Sequence, residues 1–171
     1  QDQIGRDYFA LTMRATQISL MVAFVIGIVS TFTGATLGAV SGYYGGATDN
    51  VVMRLTDLLL TIPLLTIAAV VANSLKSGSF VLALVLALLI WTSLARLVRG
   101  EFLSLREKEY VEAARAMGAS SPRIIFRHML PSFASHIIAS VSLAIPAMIL
   151  AETSLSFLGL GLQPPTVSWG V

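Results

Sequence analysis

The chain has 171 residues, of which 56% are hydrophobic and only 12% are charged. Soluble domains usually carry about 25% charged residues, so this composition argues against an ordinary soluble domain and favours a protein embedded in lipid. A net charge of only +2 and the absence of cysteine give no support to nucleic-acid binding, disulfide bonds or a thiolate metal site.

Four long apolar stretches predict membrane-spanning helices. About 20 apolar residues are needed to cross the hydrocarbon core, and these stretches lack the alternation that is typical of barrel strands. Backbone polar groups in lipid must be satisfied internally, which also favours helices. We expect an all-α membrane protein with one transmembrane domain over residues 1–171. Its predicted spans are 18–42, 57–75, 79–97 and 136–158.

The basic residues predict the orientation of these spans. Cytoplasmic loops of membrane proteins are enriched in Lys and Arg. With four spans, eight of the 11 basic residues lie on the side that holds the loop 98–135, so this loop is predicted to be cytoplasmic. The eight are Arg54, Arg96, Arg99, Arg106, Lys108, Arg115, Arg123 and Arg127.

A stripe of small residues follows one face of the first span. Its glycines recur at spacings of seven, four and four, and Ser30 lies on the same stripe. Small residues allow helices to approach closely in lipid, so the stripe predicts tight packing against another helix. Lining of a substrate path is the alternative interpretation. The glycines are Gly27, Gly34, Gly38 and Gly42.

Polar and glycine residues mark the chain between the first two spans. The sequence Gly42-Tyr43-Tyr44-Gly45-Gly46 predicts a reversal of the chain at the membrane interface. Asp57 begins the second span and is predicted at interface depth, with Arg54 three residues away as a possible ion-pair partner.

The cytoplasmic loop begins with a predicted amphipathic helix. Tyr110, Ala113, Ala114 and Met117 recur at i, i+3, i+4 and i+7 and are predicted to form one apolar face. Gly118 follows where a left-handed helix end needs glycine.

A second predicted helix follows directly. Ser121 is the expected N-cap and Pro122 the first helical residue, and Pro131 is expected to limit the helix. This helix–glycine–helix unit suits docking into a groove of another protein. The alternative is an amphipathic helix lying on lipid. The apolar residues of the second helix are Ile124, Ile125, Phe126 and Met129.

The loop carries a motif whose residues are spread over about 20 positions. Glu112-Ala113-Ala114, three residues, Gly118, nine residues, then His128 and Leu130-Pro131 resemble the EAA motif of binding-protein-dependent ABC importer permeases. His128 stands where the general pattern has Ile, and its His-x-x-Pro ending is similar to the dipeptide, oligopeptide and nickel branch.

Flanking segments resemble the same branch along almost the whole chain. Residues 2–7 (DQIGRD), 42–46 (GYYGG) and 155–161 (LSFLGLG) are similar to its conserved segments, as are Pro164-Pro165 and Ser168-Trp169-Gly170. Val167 departs from the proline that is usual there.

The resemblance implies a type I ABC importer transmembrane fold with six spans, of which a preceding and a following helix are expected outside this sequence. It implies a permease of the bacterial or archaeal cytoplasmic membrane that translocates peptides or similar small solutes. The implied partners are a second, different permease, two ATPase subunits and an extracytoplasmic solute-binding protein. Glu112 would be the polar anchor of the helix that docks on the ATPase, and Met117 lies on the same helix. Ala113 and Ala114 would permit close approach, and Gly118 would set the bend.

An acidic residue and a proline interrupt the fourth apolar stretch. Burying the charge of Glu152 within a membrane costs free energy, so Glu152 is a functional candidate. Pro146 removes a backbone hydrogen bond upstream of it. We consider both as parts of a translocation path or gate. A structural role for Glu152 near the external interface is the alternative.

No enzymatic or cofactor chemistry is expected in this chain. Neither Lys76 nor Lys108 follows a glycine, so no Walker A loop is present in the sequence, and ATP hydrolysis is expected in a separate subunit. His128 and His136 lack companion ligands for a metal site. His136 and Ser140 lack the third residue of a nucleophilic triad. A secondary transporter or channel fragment is the competing function, and it predicts interrupted helices in paired halves.

Overall fold

A computed structural model describes residues 7–63, 66–67, 70, 79–159 and 167–170, with the backbone alone described at residues 79–82. The described residues form helices and short connections and contain no strand, which confirms the predicted all-α class. In chain order the elements are α1 (Tyr8–Tyr44), α2 (Gly46–Thr61), α3 (Ser79–Leu105), α4 (Glu109–Ala116), α5 (Ser121–Arg123), a π-helix (Ile124–Met129), α6 (Leu130–Ser132) and α7 (Ala134–Phe157).

Three of these helices are long and apolar enough to cross a membrane: α1, α7 and residues Ala83–Leu105 of α3. The predicted span 18–42 lies within α1, which has 37 residues and is therefore roughly 55 Å long. The predicted spans 79–97 and 136–158 overlap α3 and α7.

About half of the predicted span 57–75 lies outside the described residues. Within them, α2 ends at Thr61 and Pro63 follows. Proline has no N–H to donate and disfavours helical geometry at the preceding residue, so the helix ends here. The N–H of Thr66 then donates to the carbonyl of Pro63 at 3.0 Å, as expected where helical structure starts again.

The chain forms two compact units. The first comprises Gln1–Val29, Ile62–Leu89 and Leu143–Val171, and the second comprises Ser30–Thr61 and Ile90–Ser142. Helices α1, α3 and α7 each contribute residues to both units.

Helices α1 and α3 pack closely together within the second unit. A Cβ atom placed on Gly34, Gly38 or Gly42 would lie 2.5–2.7 Å from a backbone oxygen of α3. These distances are far below van der Waals contact, so only glycine permits the observed approach. The predicted tight packing is confirmed for these three glycines. It stays a prediction for Gly27, where a Cβ atom would meet none of the described residues within 4 Å.

Helix α3 continues eight residues into the loop that was predicted to begin at residue 98. Val98 and Phe102 are fully buried there, in the core of the second unit. Arg96 and Arg99 lie at the end of the predicted span, but both are paired with acidic residues of α2, so their charges do not end the helix.

Two ion pairs join α2 to α3. Arg99 donates from Nε and Nη2 to the two carboxylate oxygens of Asp49, both at 2.5 Å, and Ser41 Oγ donates to Oδ1 at 2.7 Å. The hydrogen bond from Arg99 holds the pKa of Asp49 below its ordinary value of 3.8. Asp57 pairs with Arg96 across the same two helices. The predicted pairing of Asp57 with Arg54 is therefore wrong, because a cation of α3 reaches the carboxylate.

The turn between α1 and α2 lies where the sequence predicted a reversal. Helix α1 ends at Tyr44, and Gly45 has a φ of 65°. Residues other than glycine rarely adopt this left-handed conformation, which explains the glycine at this position.

Candidate functional site

Helix α4 ends in a glycine-dependent cap. The φ of Gly118 is 79°, its N–H donates to the carbonyl of Arg115, and the N–H of Ala119 donates to that of Ala114, both at 3.0 Å. These two bonds form a Schellman motif, which satisfies carbonyls that the last turn would otherwise leave unpaired. The predicted left-handed bend at Gly118 is confirmed.

Alanine at position 118 is expected to destabilise this bend. A Cβ atom at Gly118 would meet no neighbour, so the cost comes from the left-handed backbone alone, about 1–2 kcal/mol. We expect Gly118→Ala to lower the melting temperature of the purified full-length permease by about 2–8 °C. Gly100→Ala is the control, because Gly100 lies in α3 with equally open surroundings and no positive φ. An equal loss in both variants would contradict the explanation.

The buried face of α4 differs from the predicted one. Val111 and Ala114 are 0% and 3% exposed, whereas Tyr110 and Met117 are 42% and 82% exposed. Of the four residues of the predicted apolar face, only Ala114 is therefore buried in the chain's own core. The helix turns Val111 inward because a hydrophobic cluster lies under it, and sequence spacing alone does not reveal that cluster.

The cluster under α4 is built from the segments that precede and follow it. Besides α4 itself, its fully or almost fully buried members come from α1, the end of α3, the π-helix and the residue before α7. Arg115 lies over the ring of Tyr43, with its guanidinium carbon 5.7 Å from the ring centroid, which also ties α4 to the end of α1. The members that share this cluster with Val111 and Ala114 include Phe102, Ile124, Ile125, Met129 and Phe133.

The opposite face of α4 is exposed. Glu112, Ala113, Met117 and Gly118 all lie on the surface, whereas Ala114 is buried in the chain's own core. Of the five residues predicted to dock on an ATPase, four are thus accessible. Ala114 supports the helix from beneath, because its small side chain lets α4 lie close to its own core.

The second helix of the loop contains a π-helix that the sequence did not predict. Ser120, rather than Ser121, is the N-cap residue, and its side chain makes no capping hydrogen bond. The π-helix widens the turn directly before Pro131, where a regular α-helix would clash with the proline ring. The chain therefore passes Pro131 in helical form to Ser132, beyond the expected limit. Ile124, Ile125 and Met129 are buried.

Glu152 lies buried in the first unit, with 1% of its surface exposed. Its Oε1 accepts a hydrogen bond from Ser156 Oγ at 2.7 Å and its Oε2 accepts one from Ser19 Oγ at 3.4 Å. Pro146 lies in the same helix, but it is exposed. The structure therefore does not bring the two predicted gate residues together.

His136 contacts residues that directly precede it in the chain. His136 stacks on Phe133, with ring centroids 4.9 Å apart, and its Nδ1 lies 3.5 Å from Ser135 Oγ. Within the described ranges, no three His, Asp or Glu side chains come together in a way that could hold a metal ion.

The chain is similar in sequence to known transport proteins. Residues 34–171 match the family described as binding-protein-dependent transport system inner membrane component. The oligopeptide transport system permease protein OppC of Mycobacterium tuberculosis is 45% identical over 169 residues, which are 98% of this chain and 58% of that protein. The protein of the same name from Bacillus subtilis is 34% identical, over 99% of this chain and 55% of its own length. The chain thus spans a little over half the length of these relatives.

Proposed function

Because the chain belongs to the family of inner membrane components of binding-protein-dependent transport systems, we propose that it forms the core of a permease subunit that imports peptides or similar small solutes. The family has the type I ABC importer transmembrane fold. The similarity to two oligopeptide transport permeases supports peptides as the substrate class. ATP hydrolysis would be supplied by two separate ATPase subunits.

The observation that carries this proposal is that α4 packs on the chain's own core with one face and exposes the other. Its inner face is fixed by Val111 and Ala114, while its outer face presents Glu112, Ala113 and Met117. An unbranched, polarisable side chain such as Met117 adapts well to the groove of a partner protein. A helix that is packed into a core moves together with that core when a partner protein displaces it. We infer that this outer face docks in a groove of one ATPase subunit.

The remaining partners follow from the same proposal. A second permease, different from this one, would complete the translocation path, and an extracytoplasmic solute-binding protein would deliver the substrate. The loop 98–135 would face the cytoplasm, where the ATPase subunits bind. Closure of the ATPase dimer on ATP would move α4 together with the end of α3, because both share one core.

Cysteine crosslinking tests the docking of α4. We would place Met117→Cys in the full-length permease, with any other cysteines removed, and co-express it with ATPase subunits that carry single cysteines along the candidate groove. Met117 is 82% exposed, so we expect efficient crosslinking whose yield changes when ATP is added. The yield would be measured by gel shift in isolated membranes.

Ala114→Cys is the matched control, because Ala114 lies three residues away on the same helix but is 3% exposed. We expect at most weak crosslinking from this position. If Met117→Cys also fails to crosslink in a complex shown to be assembled, the docking proposal is wrong. The outer face of α4 would then be a lipid-facing surface, and a transporter without an ATPase would become the better interpretation.

A further inference from the structure

A hydrogen-bonded network in the first unit joins positions far apart in sequence. Among the described residues, Glu152 is the single charged residue that is buried. Ser19 of α1 donates to one of its carboxylate oxygens and Ser156 of α7 to the other. Placing a carboxylate inside a membrane protein is costly, so its presence here points to a task that an apolar side chain could not perform.

The network continues to the segment 167–170. The backbone N–H of Trp169 donates to Ser19 Oγ at 3.2 Å, and its indole Nε1–H donates to Thr16 Oγ1 at 3.1 Å. Ser19 therefore has its hydroxyl proton directed to Glu152 and a lone pair directed to Trp169. A carboxylate is a pure acceptor, so it fixes the hydroxyl of Ser19 in the orientation that accepts from Trp169.

Close packing holds the same segment against α7. A Cβ atom on Gly170 would lie 2.4 Å from the carbonyl oxygen of Thr153 and 2.7 Å from the Cβ of Ser156. The neighbouring Ser168 is 1% exposed. The segment thus contacts α1 through hydrogen bonds and α7 through its backbone.

We propose that Glu152 is a positioning residue, which acts through Ser19 to hold residues 167–170 on α1 and α7. We call this arrangement, formed by Thr16, Ser19, Glu152, Ser156 and Trp169, the latch. Its consequence for transport rests on the proposed function: the segment after α7 and the two helices would move as one body during the transport cycle. The contacts of the latch themselves do not depend on that function.

Labelling of a buried cysteine tests the latch. We would introduce Ser168→Cys into the full-length permease, free of other cysteines, and measure its rate of reaction with a membrane-impermeant maleimide in the assembled complex. A cysteine at this buried position is expected to react slowly. Adding Ser19→Ala removes the acceptor for Trp169 and one donor to Glu152, and we expect labelling to accelerate about tenfold. Glu152→Ala should accelerate it at least as much.

Two variants separate the latch from a general loss of folding. Ser154→Ala is the matched control, because Ser154 is an exposed serine of α7 whose hydroxyl donates to the carbonyl of Leu150, which is not a latch residue. It should leave the labelling rate unchanged. Ser19→Thr retains a hydroxyl and is expected to restore slow labelling, which a purely space-filling role of Ser19 would not predict.

A separate substitution covers the case in which Ser19→Ala yields no folded protein. Thr16→Val removes only the acceptor of the indole N–H, and we expect it to raise the labelling rate severalfold. The proposal is overturned if Ser19→Ala or Thr16→Val leaves the labelling rate at that of the parent. Because labelling needs no transport, this result is independent of the crosslinking that tests ATPase docking.

Discussion

Replacing Gly38 by alanine is expected to destabilise the chain by about 1–3 kcal/mol, since the added methyl group has no room. Its Cβ would lie 2.5 Å from the backbone oxygen of Ala95 and 3.0 Å from the Cβ of Val98. Backbone atoms of a long helix cannot move aside as a flexible side chain can, so α1 and α3 must separate. The melting temperature of the purified full-length permease, followed by intrinsic fluorescence, should fall by about 2–12 °C.

Gly27→Ala in the same helix is the matched control. Among the described residues, a Cβ at Gly27 meets nothing within 4 Å, so we expect the substitution to retain the helix-propensity advantage of alanine, up to about 1 kcal/mol. The melting temperature should stay constant or rise slightly. A similar fall in both variants would show that the loss comes from something other than the approach of α1 to α3.

The contrast between these glycines shows how far the sequence predicts the packing. Spacings of seven, four and four placed Gly27, Gly34, Gly38 and Gly42 on one stripe, because the period of a helix is known in advance. Which part of the stripe meets a neighbour depends on where α3 crosses α1, and this is a tertiary property. Local signals were more reliable where one residue decides the geometry, as Gly118 does at the end of α4.

The candidate docking helix shows the same limit. Both Tyr110-Ala113-Met117 and Val111-Ala114 are compatible with a helical period, and only the cluster formed by Phe102, Ile125 and other residues selects the second as the buried face. The π-helix was missed because its cause, Pro131, lies outside it. The task of Glu152 stays a prediction, and its contacts with Ser19, 133 residues away, could not be inferred from local patterns.

Asp49→Asn is expected to cost about 1.5–3 kcal/mol, the usual value of hydrogen bonds to a charged group. Asp49 and Arg99 have side-chain exposures of 14% and 32%, so solvent replaces the lost bonds only in part. An asparagine offers one oxygen in place of two, and its NH₂ group would face the guanidinium. The loss should be measured as a lower midpoint of thermal unfolding at neutral pH.

The second ion pair between the same helices provides the control. Asp57 and Arg96 have side-chain exposures of 60% and 48%, and exposed pairs contribute about 0–1 kcal/mol. Asp57→Asn should therefore shift the midpoint much less than Asp49→Asn does. Equal effects would mean that burial does not decide the strength of these pairs.

The pH dependence of the Asp49→Asn effect gives an independent test. The folded protein lowers the pKa of Asp49, so its carboxylate stabilises the fold above the ordinary value of 3.8, and this contribution is lost as the pH falls through the lower, folded pKa. Asparagine does not titrate. The difference between parent and variant should therefore stay constant from about pH 8 to pH 5 and shrink below about pH 4. A difference that persists unchanged in acid would mean that the carboxylate charge is not what joins α2 to α3 at this position.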